Sequence, residues 1–406
     1  MTLHPNERQG MSDNGSASSE DSNKGGARWG PRLRERIADE IRREGPIPFS
    51  RYMELCLYEP ELGYYSRARE QFGKAGDFYT SSDVHAVFGR LLARQFEEMW
   101  RALDSPERVD LIELGPGRGL FARDVLDWSR KQFPEFSCAL RYVLVEQSAR
   151  LRERLQERLP EHISAGHAQV FESIESVAAQ AGENIIVFGN EFLDALPVEV
   201  VDQRGAVRVG FDNGRLVESF VAPSAEENKF LDRYSIHPEV GERVEVPLAS
   251  LTWMNRVVDL LRDRRGFAVL VDYGYMREEQ LAGRYRDTVM AYRRHTASSS
   301  PYEAPGEQDI TAHVNFTALR ACGMERGLDA LGLATQSQFL IGIGEETQFG
   351  DAFQECMLPQ ERAKVALQLK HLIVPSGVGE TFQVLVMSHG VDREKAGRLA
   401  GLKFAR

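Results

Sequence analysis

Three short runs in this sequence carry residues that could do chemistry together. The first, Glu113-Leu114-Gly115-Pro116-Gly117-Arg118-Gly119, sets a carboxylate ahead of three glycines. Glycines at a strand-to-helix turn let the backbone approach a cofactor closely. A dinucleotide fingerprint needs Gly-x-Gly-x-x-Gly, yet position 120 is Leu; a phosphate loop ends in Gly-Lys-Ser/Thr, which is absent. An acid ahead of the loop suits a cationic ligand and would repel a pyrophosphate. The second is Glu146, just past the apolar run Tyr142–Val145. It can accept hydrogen bonds from ribose hydroxyls, or favour the dipole of the helix that follows. The third is Gly189-Asn190-Glu191-Phe192-Leu193-Asp194-Ala195-Leu196-Pro197. Asn190 and Glu191, with Asp194 and then Glu199, could grip a cationic acceptor. A guanidinium fits this description, because its nitrogen becomes nucleophilic only when carboxylates localise charge on the other nitrogens and accept a proton. Asp194 also reads as the cap of a helix that Leu196-Pro197 ends.

Other polar runs supply a possible substrate rim. Asp272-Tyr273-Gly274-Tyr275 and Asp309-Ile310-Thr311-Ala312-His313 each follow or border an apolar run, and Thr80 and Ser81 lie in the polar loop Gly76–Asp83. His313 is a candidate general base, although a lone histidine is more often a packed or surface residue. Arg293, Arg294 and His295 read as a solvated basic cluster. The four cysteines, Cys56, Cys138, Cys322 and Cys356, lie far apart, so they suggest neither a metal site nor a disulfide framework but buried free thiols.

The elements that must position these residues follow from periodicity. Residues 1 to about 30 are too polar to bury a core and read as a disordered tail. Leu33, Ile37 and Ile41 predict a helix from Pro31 to Gly45; a second starts at a Ser50 N-cap and runs to Pro60; a third covers Val87–Leu103, and the three form an N-terminal helical layer. From position 109, strands at Val109–Leu114, Tyr142–Val145, Gln169–Phe171, Ile185–Phe188 and Ala268–Val271 alternate with helical segments. That rhythm means right-handed crossovers and a mostly parallel sheet. Gln338–Ile341 and Phe382–Met387 add two strands outside the rhythm, giving an α/β sheet of seven strands with an antiparallel edge. About seventy residues separate the fourth and fifth strands. They contain Val198–Val201 and Ala206–Val209 joined by Asp202-Gln203-Arg204-Gly205, a hairpin-bearing cap inserted at about 197–265.

Composition narrows the partners. The chain of 406 residues has 50 Lys+Arg against 61 Asp+Glu, a formal charge of −11, which argues against a general binder of nucleic acid or anionic membrane. It has 42% hydrophobic and 27% charged residues, an ordinary globular balance. No run approaches the ~20 apolar residues of a membrane span, and the N-terminus lacks the order of a signal peptide, so a soluble, cytoplasmic protein is expected.

The acidic-x-Gly-x-Gly-x-Gly run resembles motif I of class I S-adenosylmethionine (SAM) methyltransferases, whose cofactor carries a sulfonium and an ammonium. The resemblance extends further. Gly63-Tyr64-Tyr65, Gly76-Asp77-Phe78, Phe88-Gly89, Glu113–Gly119, Val145-Glu146, Asn190–Pro197, Asp272-Tyr273-Gly274, Gly306–Val314 and Gln338-Phe339-Leu340 follow the order of the MidA-type SAM-dependent methyltransferase family over roughly residues 45 to 390. That family includes the mitochondrial assembly factor of respiratory complex I. Tyr79 and Ser82 depart from the Asp-Phe-Thr-Thr-Ser-Pro run of many relatives. The resemblance implies a Rossmann-like class I methyltransferase fold over residues 106–406, preceded by the helical region 31–105. It implies SAM as cofactor, no metal, and transfer to an arginine of a complex I subunit or its bacterial counterpart. Glu113, Gly115, Pro116, Gly117, Gly119, Glu146 and Asn190 look like SAM contacts, and Asn190, Glu191 and Asp194 like the catalytic side. A small-molecule methyltransferase and a non-catalytic assembly chaperone are the rival readings.

Overall fold

A computed structural model describes residues 29–66, 86–293, 296–374 and 379–405. Thr80, Ser81 and the rest of the Gly76–Asp83 loop, the N-terminal segment before Trp29, Arg294 and His295 lie outside the described residues. The strands in chain order are β1 Ile47–Pro48, β2 Val109–Leu114, β3 Leu140–Val145, β4 Ala168–Phe171, β5 Asn184–Asn190, β6 Glu199–Asp202, β7 Gly205–Asp212, β8 Arg215–Val221, β9 Arg243–Val246, β10 Arg265–Tyr275, β11 Met290–Arg293, β12 Thr296–Ser298, β13 Asp309–Thr311, β14 Val314–Asn315, β15 Asp329–Thr335 and β16 Phe382–His389.

The central sheet has the order β15-β16-β10-β5-β2-β3-β4, with the short β14 also on β10. The five strands from β4 to β10 run parallel, and β16 is antiparallel to both its neighbours. The reversed strand thus lies one in from the edge. Both faces are covered, so β2 is apolar with little alternation: Val109 and Leu111 join one core, Ile112 and Leu114 the other. Helices Ala86–Ala102, Leu120–Gln132 and Gln336–Glu345 cover the first face; Leu248–Arg262 and Phe316–Glu325 cover the second. The chain leaves β2 towards β3 and β4 on one side, while β5 and β10 lie on the other. This reversal opens a crevice at the carboxyl ends of β2 and β5.

A second body sits over that end. Strands β6–β9 and β1 form a five-stranded sheet, in which the β6–β7 hairpin turns at Asp202–Gly205. Its apolar residues pack with the buried stripe Leu33, Ile37, Ile41 and with Phe49, Tyr52 and Met53 of the next helix. The helix Ala86–Ala102 packs instead on the central sheet through Phe88, Leu92 and Phe96, apart from the first two helices.

Three local readings change. Gln338–Ile341 is no strand but part of the helix Gln336–Glu345, because Thr335 and Gln338 form a reciprocal capping box that starts a helix there. The sixth strand is β15, whose apolar pattern is broken by a bulge between Ala330 and Gly332. The second helix begins at Phe49 after Pro48, and the Ser50 hydroxyl bonds the Glu199 carboxylate rather than the helix end. Among the described residues no disulfide forms, and of the four cysteines only Cys56 is buried, while Cys138 is exposed.

Candidate functional site

The carboxyl ends of β2, β3, β4 and β5 open into one cavity of ≈ 850 Å³, within the size range of small-molecule sites. Glu113 sits beneath the glycine loop on the same face of the sheet as Tyr142, whose hydroxyl donates to Glu113 Oε2 at 2.8 Å. Burial, with only 5% of the residue exposed, pushes this carboxyl up to about 8, and the Tyr142 bond draws it part of the way back. The loop needs its glycines. Gly115 has φ +64, and a Cβ there would lie 2.7 Å from the Phe192 ring; Gly119 has φ +70, with Leu155 at the same distance. Pro116 and Gly117 line the cavity between them.

Glu146 follows β3 directly and accepts the Ser148 N–H at 2.8 Å. Burial lifts it to about 7, opposed by the backbone bonds from Ser148 and Gln147 and by Arg152. A buried carboxyl held this high is suited to a ligand that brings positive charge or hydroxyl donors to it.

Asn190 closes β5 in register with Val271, and the Glu191 N–H still reaches Val271 O at 3.0 Å. Glu191 then turns at φ +50, a left-handed conformation that is uncommon and costly for a residue with a side chain. The turn points the chain into the loop Phe192–Asp194, which is organised by Asp272. One oxygen of Asp272 accepts the N–H groups of Phe192, Leu193 and Asp194 at 2.8–3.2 Å, and the other accepts its own neighbour Tyr273 at 2.9 Å. Burial pushes Asp272 up to about 7, and the four N–H donors draw it part of the way back towards the carboxylate. Asp194 lies beside it. It is held well above the carboxylate range by burial and by the charges of Asp272, Asp309 and Glu191. Asp194 caps no helix, and its Oδ1 has no hydrogen-bond partner among the described residues.

The rim residues are distributed differently from their expected places. Asp272 and Asp309 are 1% and 4% exposed and lie behind the cavity wall rather than on its edge. Asp309 accepts the Tyr65 hydroxyl at 2.9 Å. Tyr273 packs on Phe382 and stacks with His313. His313 is not among the cavity-lining side chains; burial lowers its pKa, keeping it neutral. Glu199 is in the cap sheet, engaged by Ser50 and Arg208, and takes no part. Arg293 pairs with Glu307. Among the cavity residues to which the sequence reading gave no role are Tyr58, Tyr65 and Glu172, the last just past β4. Gly63-Tyr64-Tyr65 was the available signal for one of them.

Residues 91–334 match the family model described as "Putative S-adenosyl-L-methionine-dependent methyltransferase". The chain belongs to that family. The Drosophila melanogaster "Protein arginine methyltransferase NDUFAF7 homolog, mitochondrial" is 31% identical over 88% of this chain and 85% of its own length. Its human counterpart is 27% identical over 88% and 83%. The crystal structure of a Burkholderia thailandensis protein bound to S-adenosyl-homocysteine superposes with a TM-score of 0.75 at 29% identity, over 96% of this chain and 98% of that one. As a member of the family, this protein is a SAM-dependent methyltransferase of class I fold. Its residues fit the cofactor: Glu113 for a positive centre, Glu146 for hydroxyls, and an Asn190 Oδ1 with no partner among the described residues. The cytoplasmic expectation does not stand, since the fly and human relatives are named as mitochondrial proteins. Among the described residues, no helix is long and apolar enough to cross a membrane.

Proposed function

We propose that this protein is a protein-arginine N-methyltransferase acting on a subunit of respiratory complex I or its bacterial counterpart. The observation that carries the reading is the acidic group beside the end of β5: Glu191 on the cavity, with Asp194, Asp272 and Asp309 buried behind it. Burial and mutual repulsion push Asp194 and Asp272 up, and a cation received beside them favours their ionised forms. The names of the fly and human relatives agree with this acceptor.

SAM supplies an electrophilic methyl on a sulfonium. Glu113 and Glu146 hold its charged and hydroxylated ends, and the glycine loop lets the backbone come close. Glu191 orients the guanidinium and localises its charge, so that one nitrogen keeps a usable lone pair. The transferred methyl leaves that nitrogen with a proton to lose, which the neighbouring carboxylates can accept. Alignment of the two reactants is the other main contribution, worth up to ~7–11 kcal/mol.

The test is to incubate the pure protein with radiolabelled SAM and an extract of its host, then map the label. Label on an arginine side chain of a complex I subunit is expected; label only on a metabolite or on lysine overturns the reading. Glu191→Gln should keep its affinity for S-adenosyl-homocysteine within about twofold and lose about 100-fold or more in kcat, the scale of one preorganised charged group. Undiminished transfer by that variant removes the role given to Glu191.

A further inference from the structure

The cavity has a second wall, contributed by the cap side. Tyr58 ends the helix Phe49–Tyr58 and Tyr65 lies in the short turn Tyr64–Ser66; both line the same cavity as Asn190 and Glu191. Their ring centroids are 5.5 Å apart, with the planes tilted by 32°. Each hydroxyl hydrogen is already given away within the protein. Tyr58 Oη donates to Ala195 O at 2.9 Å, and Tyr65 Oη donates to Asp309 Oδ1 at 2.9 Å. What this wall has to offer a ligand is therefore aromatic surface. Burial, together with Asp309 and Asp194 behind the wall, holds both phenols well above their ordinary range.

We propose that Tyr58 and Tyr65 are specificity-determining residues, an aromatic wall that admits a guanidinium as acceptor and discriminates against neutral groups of the same shape. The inference rests on the arginine reading above. An electron-rich ring attracts a cation over its face, more strongly when water is excluded. A guanidinium gains more from such a wall than an ammonium does, because it is planar and more weakly hydrated. A neutral amide or urea would lose the ring attraction and meet no spare hydroxyl donor on the two tyrosines in compensation. The bond to Asp309 also fixes Tyr65 across 244 residues of sequence, so the wall is rigid before the acceptor arrives.

The experiment is calorimetry on the full chain saturated with S-adenosyl-homocysteine, titrated with Nα-acetyl-arginine methylamide and with its citrulline counterpart, which has the same shape without the charge. The arginine amide should bind at least about tenfold more tightly, the scale of a desolvated cation–π contact. Tyr65→Leu should cut the preference at least about threefold, leaving the share that Glu191 contributes, whereas Tyr65→Phe, which keeps the ring, should retain most of it. Affinity for S-adenosyl-homocysteine should be unchanged in both variants, which separates loss of the wall from loss of the fold; Tyr58→Leu is the second probe where Tyr65→Leu does not fold. Equal binding of arginine and citrulline by the natural protein, binding of neither, or a preference undiminished by loss of the ring overturns the inference. The two failures differ: label mapped to arginine together with an unaltered preference in Tyr65→Leu removes the wall alone, and label mapped elsewhere removes the arginine reading beneath it.

Discussion

The Glu113 carboxyl makes a quantitative prediction about cofactor binding. It is pushed up to about 8 by burial beneath the glycine loop. A ligand ammonium needs the carboxylate, so binding must displace the proton. A group titrating near 8 is about 1% ionised at pH 6 and about 9% at pH 7, so this one site should tighten binding about ninefold over that unit, ~1.3 kcal/mol. Glu146, held at about 7, should add a further factor of about five over the same unit, its ionised fraction rising from about 9% to about 50%. Affinity for S-adenosyl-homocysteine should therefore rise roughly 50-fold between pH 6 and pH 7, a range below the ordinary titration of an α-amino group. At pH 7, Glu113 alone should release about 0.9 proton per ligand bound, read by calorimetry in buffers of different ionisation heat. Glu113→Gln should cut the affinity gain to about fivefold and remove that share of the proton release. Tyr142→Phe deletes the donor that lowers Glu113, so it should move the rise to higher pH. A dissociation constant flat across this range, or the same slope in the natural protein and Glu113→Gln, would refute the reasoning.

Three more predictions follow from the geometry. Gly115→Ala should lose at least about tenfold in affinity for S-adenosyl-homocysteine, because it adds a left-handed strain of ~1–2 kcal/mol and drives a Cβ into the Phe192 ring; unchanged binding in calorimetry contradicts this. Asp272→Asn replaces an oxygen that only accepts with an amide that must place its own N–H groups among four backbone donors, costing roughly 2–4 kcal/mol in urea unfolding and lowering kcat; a fully stable and active variant contradicts it. In the ligand-free protein, Glu113, Glu146 and Glu245 are held at about 8, 7 and 7, above the 4.5 of an unfolded glutamate. The native state then binds more protons than the unfolded one. The stability these groups contribute is fully present below about pH 4.5 and is lost as pH rises through 7 to 8. The thermal midpoint should fall by several degrees between pH 5.5 and pH 8, and a rise would show that the buried acids are ionised throughout.

The strand-end loops that line the cavity were the legible half. Glu113–Gly119 and Glu146 each follow a short apolar strand by a fixed, local spacing, and a parallel sheet covered on both faces leaves only strand ends for chemistry. The failure at Gln338–Ile341 was also local, since Thr335-x-x-Gln338 states the helix start and was outweighed by the apolar run behind it. The acceptor side was less legible. Asp272 and Asp309 read as rim residues, yet each is turned inward by partners far away in the chain: the N–H groups of Phe192–Asp194 for one and the Tyr65 hydroxyl for the other.

By itself, then, the sequence determined the methyltransferase sheet and the carboxylates at its strand ends, because both depend on periodicity and on neighbours within a few residues. Only the tertiary structure decided what faces the methyl side. A helix near the N-terminus, a hairpin inserted after the fourth strand and a strand near residue 309 share one apolar core. Closing that core is what brings Tyr58 and Tyr65 against Asp309 and over the end of β5, and no spacing along the chain encodes a contact made by burying surface at a distance.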